Sequence, residues 1–137
     1  MHRRGFGLAF CMAVILGSSP VVADQFAGFY QGIDAGDGSI DTMSIVPNGD
    51  GTYTLRVIAS RMSFCLIDDT HRSGVLTATA RVINGRLSRQ DVEVRCEGSD
   101  EVLFIPDSTY EYDARNGILT LVAVDDGRLL HYHRISK

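Results

Sequence analysis

The chain has 137 residues, 45% of them hydrophobic and 22% charged, with 14 glycines, 3 cysteines and no tryptophan. That is the size and composition of one soluble globular domain, too short for a nucleotide-binding enzyme with a second domain and too apolar for a disordered or collagen-like chain. A formal net charge of −4 repels phosphate backbones and anionic bilayers, so neither nucleic acid nor a membrane surface is an expected partner.

Residues 1–23 read as a secretory signal peptide. Arg3 and Arg4 precede an uncharged apolar run over residues 5–17, and Val21, Val22 and Ala23 lead to a cut ahead of Asp24. The run falls short of the roughly 20 apolar residues that cross a bilayer, and Pro20 follows it, which argues against a transmembrane anchor. Cys11 would suit lipidation only with a small residue before it, and Phe10 stands there. The expected product is a single domain over residues 24–137, exported to a periplasm or to the medium, with no stable membrane anchor. Losing 23 residues, Arg3 and Arg4 among them, leaves 114, with 11 basic against 17 acidic side chains and a net charge of −6.

Ten runs rich in β-branched and aromatic residues follow: 27–33, 40–46, 52–60, 62–67, 74–83, 86–96, 102–105, 109–113, 118–124 and 128–135. Between them lie turn signals tolerant of positive φ, notably Asn48-Gly49-Asp50-Gly51, Asn84-Gly85, Asn116-Gly117 and Asp125-Asp126-Gly127. Over 74–83, Leu76, Ala78, Ala80 and Val82 alternate with Thr77, Thr79 and Arg81, the period of a sheet with one wet face. The next run puts Val92, Val94 and Cys96 on one side and Asp91, Glu93 and Arg95 on the other. No run has a helical period. The fold class is therefore all-β, an antiparallel up-and-down meander of about eight to ten strands in a small closed or partly open barrel, with a β-sandwich as the alternative. Apolar residues on both faces of 118–124 suggest a doubly covered or contact-forming strand.

Cys65 and Cys96 remain after export, in a compartment where thiols oxidise, and neither sits in C-x-x-C or beside a local base, so a structural disulfide is expected. It closes a loop of about 30 residues and, on the chain-entropy account, contributes roughly 3–4 kcal/mol.

Gly28-Phe29-Tyr30 in the first run resembles the opening of the calycin group, lipocalin-like barrels among them, whose first strand carries Gly-x-Trp and whose last strand brings an arginine over that ring. Tyr30 stands here at the tryptophan position, the chain is short for that group and lacks its following helix. The resemblance implies a barrel in which Arg134 lies over Tyr30, and it implies no particular ligand.

His131 and His133 lie two apart in the last run, share a face and are candidate metal ligands, with His71, Asp68 or Asp69 as a possible third; exposed or hydrogen-bonded strand histidines are the plainer account. Asp34, Asp37 and Asp41 bracket a glycine-rich segment but lack the ligand order of a calcium loop, so a solvated hairpin is expected. Arg81, Arg86, Arg89 and Arg95 surround one hairpin, where Asp91 and Glu93 would pair with them on the wet face. Nucleophile elbow, paired Cys and His, and H-E-x-x-H motifs are absent, and no helix start follows the glycines to cradle phosphate. No cofactor is implied.

The expectation is an exported, non-enzymatic binding module for a small ligand or a protein. Ala78 and Ala80 on the inner face either leave room for an apolar ligand or fit the taper of a filled core. The alternative is a secreted or periplasmic interaction protein, such as a hydrolase inhibitor, to which Tyr110, Tyr112 and Tyr132 would contribute contact area; a small hydrolase or metal-binding protein ranks below both.

Overall fold

Turn chemistry sets the strand ends. The computed structural model describes residues 24–35, 37–122 and 130–137; the expected leader lies outside them. At Asn84 and Gly85 φ is 50° and 77°, the left-handed pair that a two-residue hairpin turn requires. They fold β6 (Gly74–Ile83) back on β7 (Arg86–Cys96), with Ile83 opposite Arg86.

The same antiparallel step recurs around a ring. β1 (Gly28–Ile33), β2 (Ile40–Pro47) and β3 (Thr52–Ala59) form a meander; β3 pairs with β6, and β7 pairs with β9 (Ser108–Asp113). β10 (Ile118–Leu121) and β11 (His131–Ser136) complete the circuit, because β11 pairs with β1. The result is a closed antiparallel barrel of 8 strands, with no helix among the described residues. Closure excludes the sandwich and removes the sheet edges that an open meander would expose.

Two of the expected strands are something else. The run at 62–67 does not become a stave: Met62 and Cys65 turn inward, and only β4 (Leu66–Ile67) pairs, with β5 (Thr70–His71), in a small hairpin outside the ring. Hydrogen bonds from Met62 N to Arg72 O and from Arg72 N to Cys65 O close this segment on itself. The run at 102–105 is β8 (Val102–Ile105), which pairs with the far half of β7 in the same register that β9 keeps with its near half. β8 and β9 are thus one bent strand interrupted at Pro106 and Asp107; proline has no N–H to give the ladder. β10 ends at Leu121, so the remainder of the 118–124 run falls partly outside the described residues.

Strand direction separates two poles. One carries the tight turns after β2, β6 and β9; the other carries the longer connections after β1, β3, β7 and β10. The first pole is shut by the segment preceding β1. Phe26 is buried between the rings of Tyr53 and Tyr112, with centroids 6.2 and 5.7 Å away. The Tyr30 hydroxyl donates to Phe26 O at 2.8 Å. Arg134 reaches over from β11, with its Cζ 5.2 Å from the Tyr30 ring centroid and 5.4 Å from that of Tyr112, within the range of cation–π attraction. Its guanidinium donates to Tyr30 Oη, Gln25 O and Ala27 O, so the expected arginine-over-ring contact is present and ties both ends of the described domain together.

Between the poles, inward side chains from all the staves, including Met43, Ile45, Leu55, Leu87, Val94 and Leu119, are fully or almost fully buried. Each contributes roughly 1.5–3 kcal/mol by leaving water. Ala78 and Ala80 are buried in this region and are not among the residues lining the cavity described below; they fit the taper of the core.

Candidate functional site

The interior is not filled throughout. Below the pole with the long connections lies a cavity of about 280 Å³, walled by the apolar side chains of Val57, Ala59, Leu76, Leu121 and Leu130. Met62 and Phe64 of the β3–β6 connection also face it. At its base stand Arg89, Asp41, Tyr132 and Ser108, four polar side chains in a barrel interior that is otherwise largely apolar.

Arg89 is there because of one backbone irregularity. Between Thr77 and Thr79 the β6–β7 register slips by one residue, so that an extra residue of β7 faces β6. Asp91 absorbs it at φ 52°, the left-handed conformation that a bulge residue takes and that Asp tolerates better than most. A bulge inverts the alternation: Leu87 and Arg89 point inward on one side of it, Val92, Val94 and Cys96 on the other. The expected wet-face cluster of arginines is corrected accordingly. Arg86 pairs with Glu111, and Arg95 approaches Glu93 at 3.8 Å, both on the surface, while Arg89 is inside and only 7% exposed.

The buried polar groups are linked in pairs. Arg89 Nη1 donates to Tyr110 Oη at 2.9 Å, and the guanidinium carbon lies 5.6 Å from that ring's centroid. Tyr110 meets Tyr132 edge-on at 6.2 Å. The Tyr132 hydroxyl donates to Asp41 Oδ2 at 3.3 Å. Tyr110 and Tyr132 are therefore interior side chains, fully buried or nearly so, and only Tyr112, half-buried under Arg134, keeps part of its surface. This corrects their assignment to an outer contact surface: each alternates with polar neighbours because the neighbours face water and the ring faces in.

Asp41 is corrected likewise. Asp34 and Asp37 belong to a tight polar loop, with Gly38 N donating to Asp34 O and Ser39 N to Asp37 Oδ1. Asp41 is the second residue of β2 and faces the interior, 8% exposed. Burial pushes its carboxyl up to about 6; the Tyr132 hydrogen bond opposes that rise, and the nearby charges of Asp34 and Asp37 add to it. Burial also raises the Tyr110 and Tyr132 phenols, so both remain neutral donors near neutral pH.

Three polar atoms at the base have no hydrogen-bond partner among the described residues: Arg89 Nε, Asp41 Oδ1 and Ser108 Oγ. Buried groups of this kind are rare in a folded domain unless something else satisfies them.

The disulfide holds the roof of the cavity. Cys65 Sγ bonds Cys96 Sγ at 1.98 Å, with the Cα atoms 5.4 Å apart, as the two cysteine positions led one to expect. It pins the β3–β6 connection, which carries Met62 and Phe64, to the end of β7. Gly74 permits the approach, since a Cβ there would stand 2.8 Å from Cys65 Sγ and 2.9 Å from Met62 Sδ.

His131 and His133 share the outer face of β11, both exposed, and His131 Nδ1 lies 3.0 Å from Thr120 Oγ1. His71 is exposed in β5 and Asp68 and Asp69 form the turn before it, at φ 49° and 58°. Among the described residues no group of three His, Cys, Asp or Glu side chains is arranged to hold a metal ion. No protein-family model, curated protein or solved structure matches the chain significantly.

Proposed function

We propose that this chain is an exported, non-enzymatic binding barrel that carries a small ligand in its interior. The observation that carries the reading is the cavity of about 280 Å³ with apolar walls and three uncommitted polar atoms at its base. Ligand pockets have this character: a mostly hydrophobic lining with a few polar groups that fix orientation. The lipocalin-like resemblance is supported at the level of architecture by a closed 8-strand barrel sealed at one pole by an arginine over an aromatic ring. Export of the chain after removal of residues 1–23 fits a domain whose binding-site roof depends on a disulfide.

The test is native mass spectrometry of the protein purified from its own host. A retained small molecule, released on denaturation, is the expected result. A bare chain that co-purifies with a second protein would replace this reading with the interaction-protein alternative.

A further inference from the structure

The base of the cavity holds a cation that forms no ion pair among the described residues, although the carboxyl of Asp41 shares that base and Asp34, Asp107 and Arg61 also line the chamber. Among the described residues Arg89 makes one side-chain hydrogen bond, through Nη1, to a neutral phenol, and its Nε has no partner. The two ion pairs among the described residues, Arg86–Glu111 and Arg95–Glu93, do not include it. A guanidinium cannot relieve this by losing its proton. Ser108 sits directly opposite Arg89 on the neighbouring strand, and its buried hydroxyl is likewise unpartnered. Both side chains line the cavity, so two donors on neighbouring strands face a largely apolar chamber.

We infer that the cavity takes a small amphiphile with a single anionic head, a carboxylate or a similar oxyanion, seated on the free edge of Arg89 and on Ser108 Oγ. This rests on the ligand-binding reading above and assigns the chemistry of the ligand. The apolar body lies against Val57, Leu76 and Leu121. A charge-assisted bond to a carboxylate satisfies Nε and gives the guanidinium a direct ion-pair partner together. Asp41 also presents a free oxygen to the chamber and would favour an ammonium head. Asp41 and Arg89 each already have one bond to a buried phenol, but a carboxyl can be neutralised by a proton whereas a guanidinium keeps its charge, so Arg89 is the charge present in every protonation state of the site.

Isothermal titration of the purified protein with three eight-carbon probes, octanoate, 1-octanol and octylammonium, decides the matter. Octanoate is expected to bind at least about tenfold more tightly than octanol, with octylammonium the weakest. In Arg89→Gln the preference for octanoate over octanol is lost; should that variant not fold, the probe series on the unaltered protein stands by itself. Equal binding of octanol and octanoate leaves the cavity as a ligand site but overturns the anionic head. Tightest binding of octylammonium overturns it in favour of Asp41. Binding of none of the three overturns both this inference and the ligand-binding reading.

Discussion

The Tyr132 hydroxyl donates to Asp41 Oδ2 at 3.3 Å across the interior, joining β11 to β2 at the base of the cavity. The bond only partly offsets the burial that raises the carboxyl to about 6, and Asp34, Asp37, Tyr110 and Arg89 are the other titratable or charged groups acting on this part of the interior. An acid whose pKa is higher folded than unfolded holds its proton more tightly in the native state. Its contribution is complete below the unfolded value near 4 and is lost as pH rises through about 6, a change of at most about 3 kcal/mol. Asp41→Asn removes that dependence. Urea unfolding at intervals from acid to neutral pH should show the variant gaining on the parent protein across this window; parallel profiles would sink the prediction.

Arg134→Met removes the hydrogen bonds to Tyr30, Gln25 and Ala27 and the contacts over Tyr30 and Tyr112. A loss of about 2–4 kcal/mol follows, because it leaves the buried Tyr30 hydroxyl and backbone oxygens short of partners. Arg134→Lys recovers less than half of it, since an ammonium lacks the planar fork that reaches several acceptors at once. Chemical denaturation of both variants measures the difference, and full recovery by lysine would contradict this account.

Asp91→Val tests the bulge. A β-branched residue at φ 52° is strained by about 1–2 kcal/mol, whereas Asp91→Gly is neutral or mildly stabilising. Thermal unfolding should therefore rank glycine at or above the parent and valine below it. The reverse order would show that the backbone at position 91 is not left-handed in solution.

Gly74→Ala places a methyl against Cys65 Sγ and Met62 Sδ, overpacking that costs about 1–3 kcal/mol. The same substitution at Gly98, where an added Cβ meets nothing within 4 Å, meets only the backbone cost of its φ of 80°. Reducing the disulfide costs roughly 3–4 kcal/mol, and in the reduced protein Gly74→Ala should lose most of its effect, because the loop can move away. Denaturation of the two glycine variants, oxidised and reduced, gives the comparison.

Most of the barrel was legible in the chain because period-2 alternation and Asn-Gly turns are local signals. Leu76, Ala78 and Ala80 announced their face, and Cys96 shared the inner face with Val92 and Val94. The site was hidden for the reason that the barrel was plain. Counting back by twos from Val92 puts Arg89 on the wet side, and only the bulge at Asp91, a matter of register between two strands, turns it inward. Tyr110 and Tyr132 suit a contact surface by residue type, and their alternation with polar neighbours does not say which way an amphipathic ring points. Asp41 looked like part of a loop because the two carboxylates before it are. The run at 62–67 had strand composition but no stave to join, since Met62 and Cys65 are consumed in crossing the pole.

The polarity of the barrel has a practical corollary for handling the molecule. Lys137 and the segment before β1 meet at the end that Arg134 seals, opposite the pole below which the cavity lies. An affinity handle or fluorophore fused after Lys137 therefore stays clear of the cavity's pole, and protein immobilised through that handle turns that pole toward the solution.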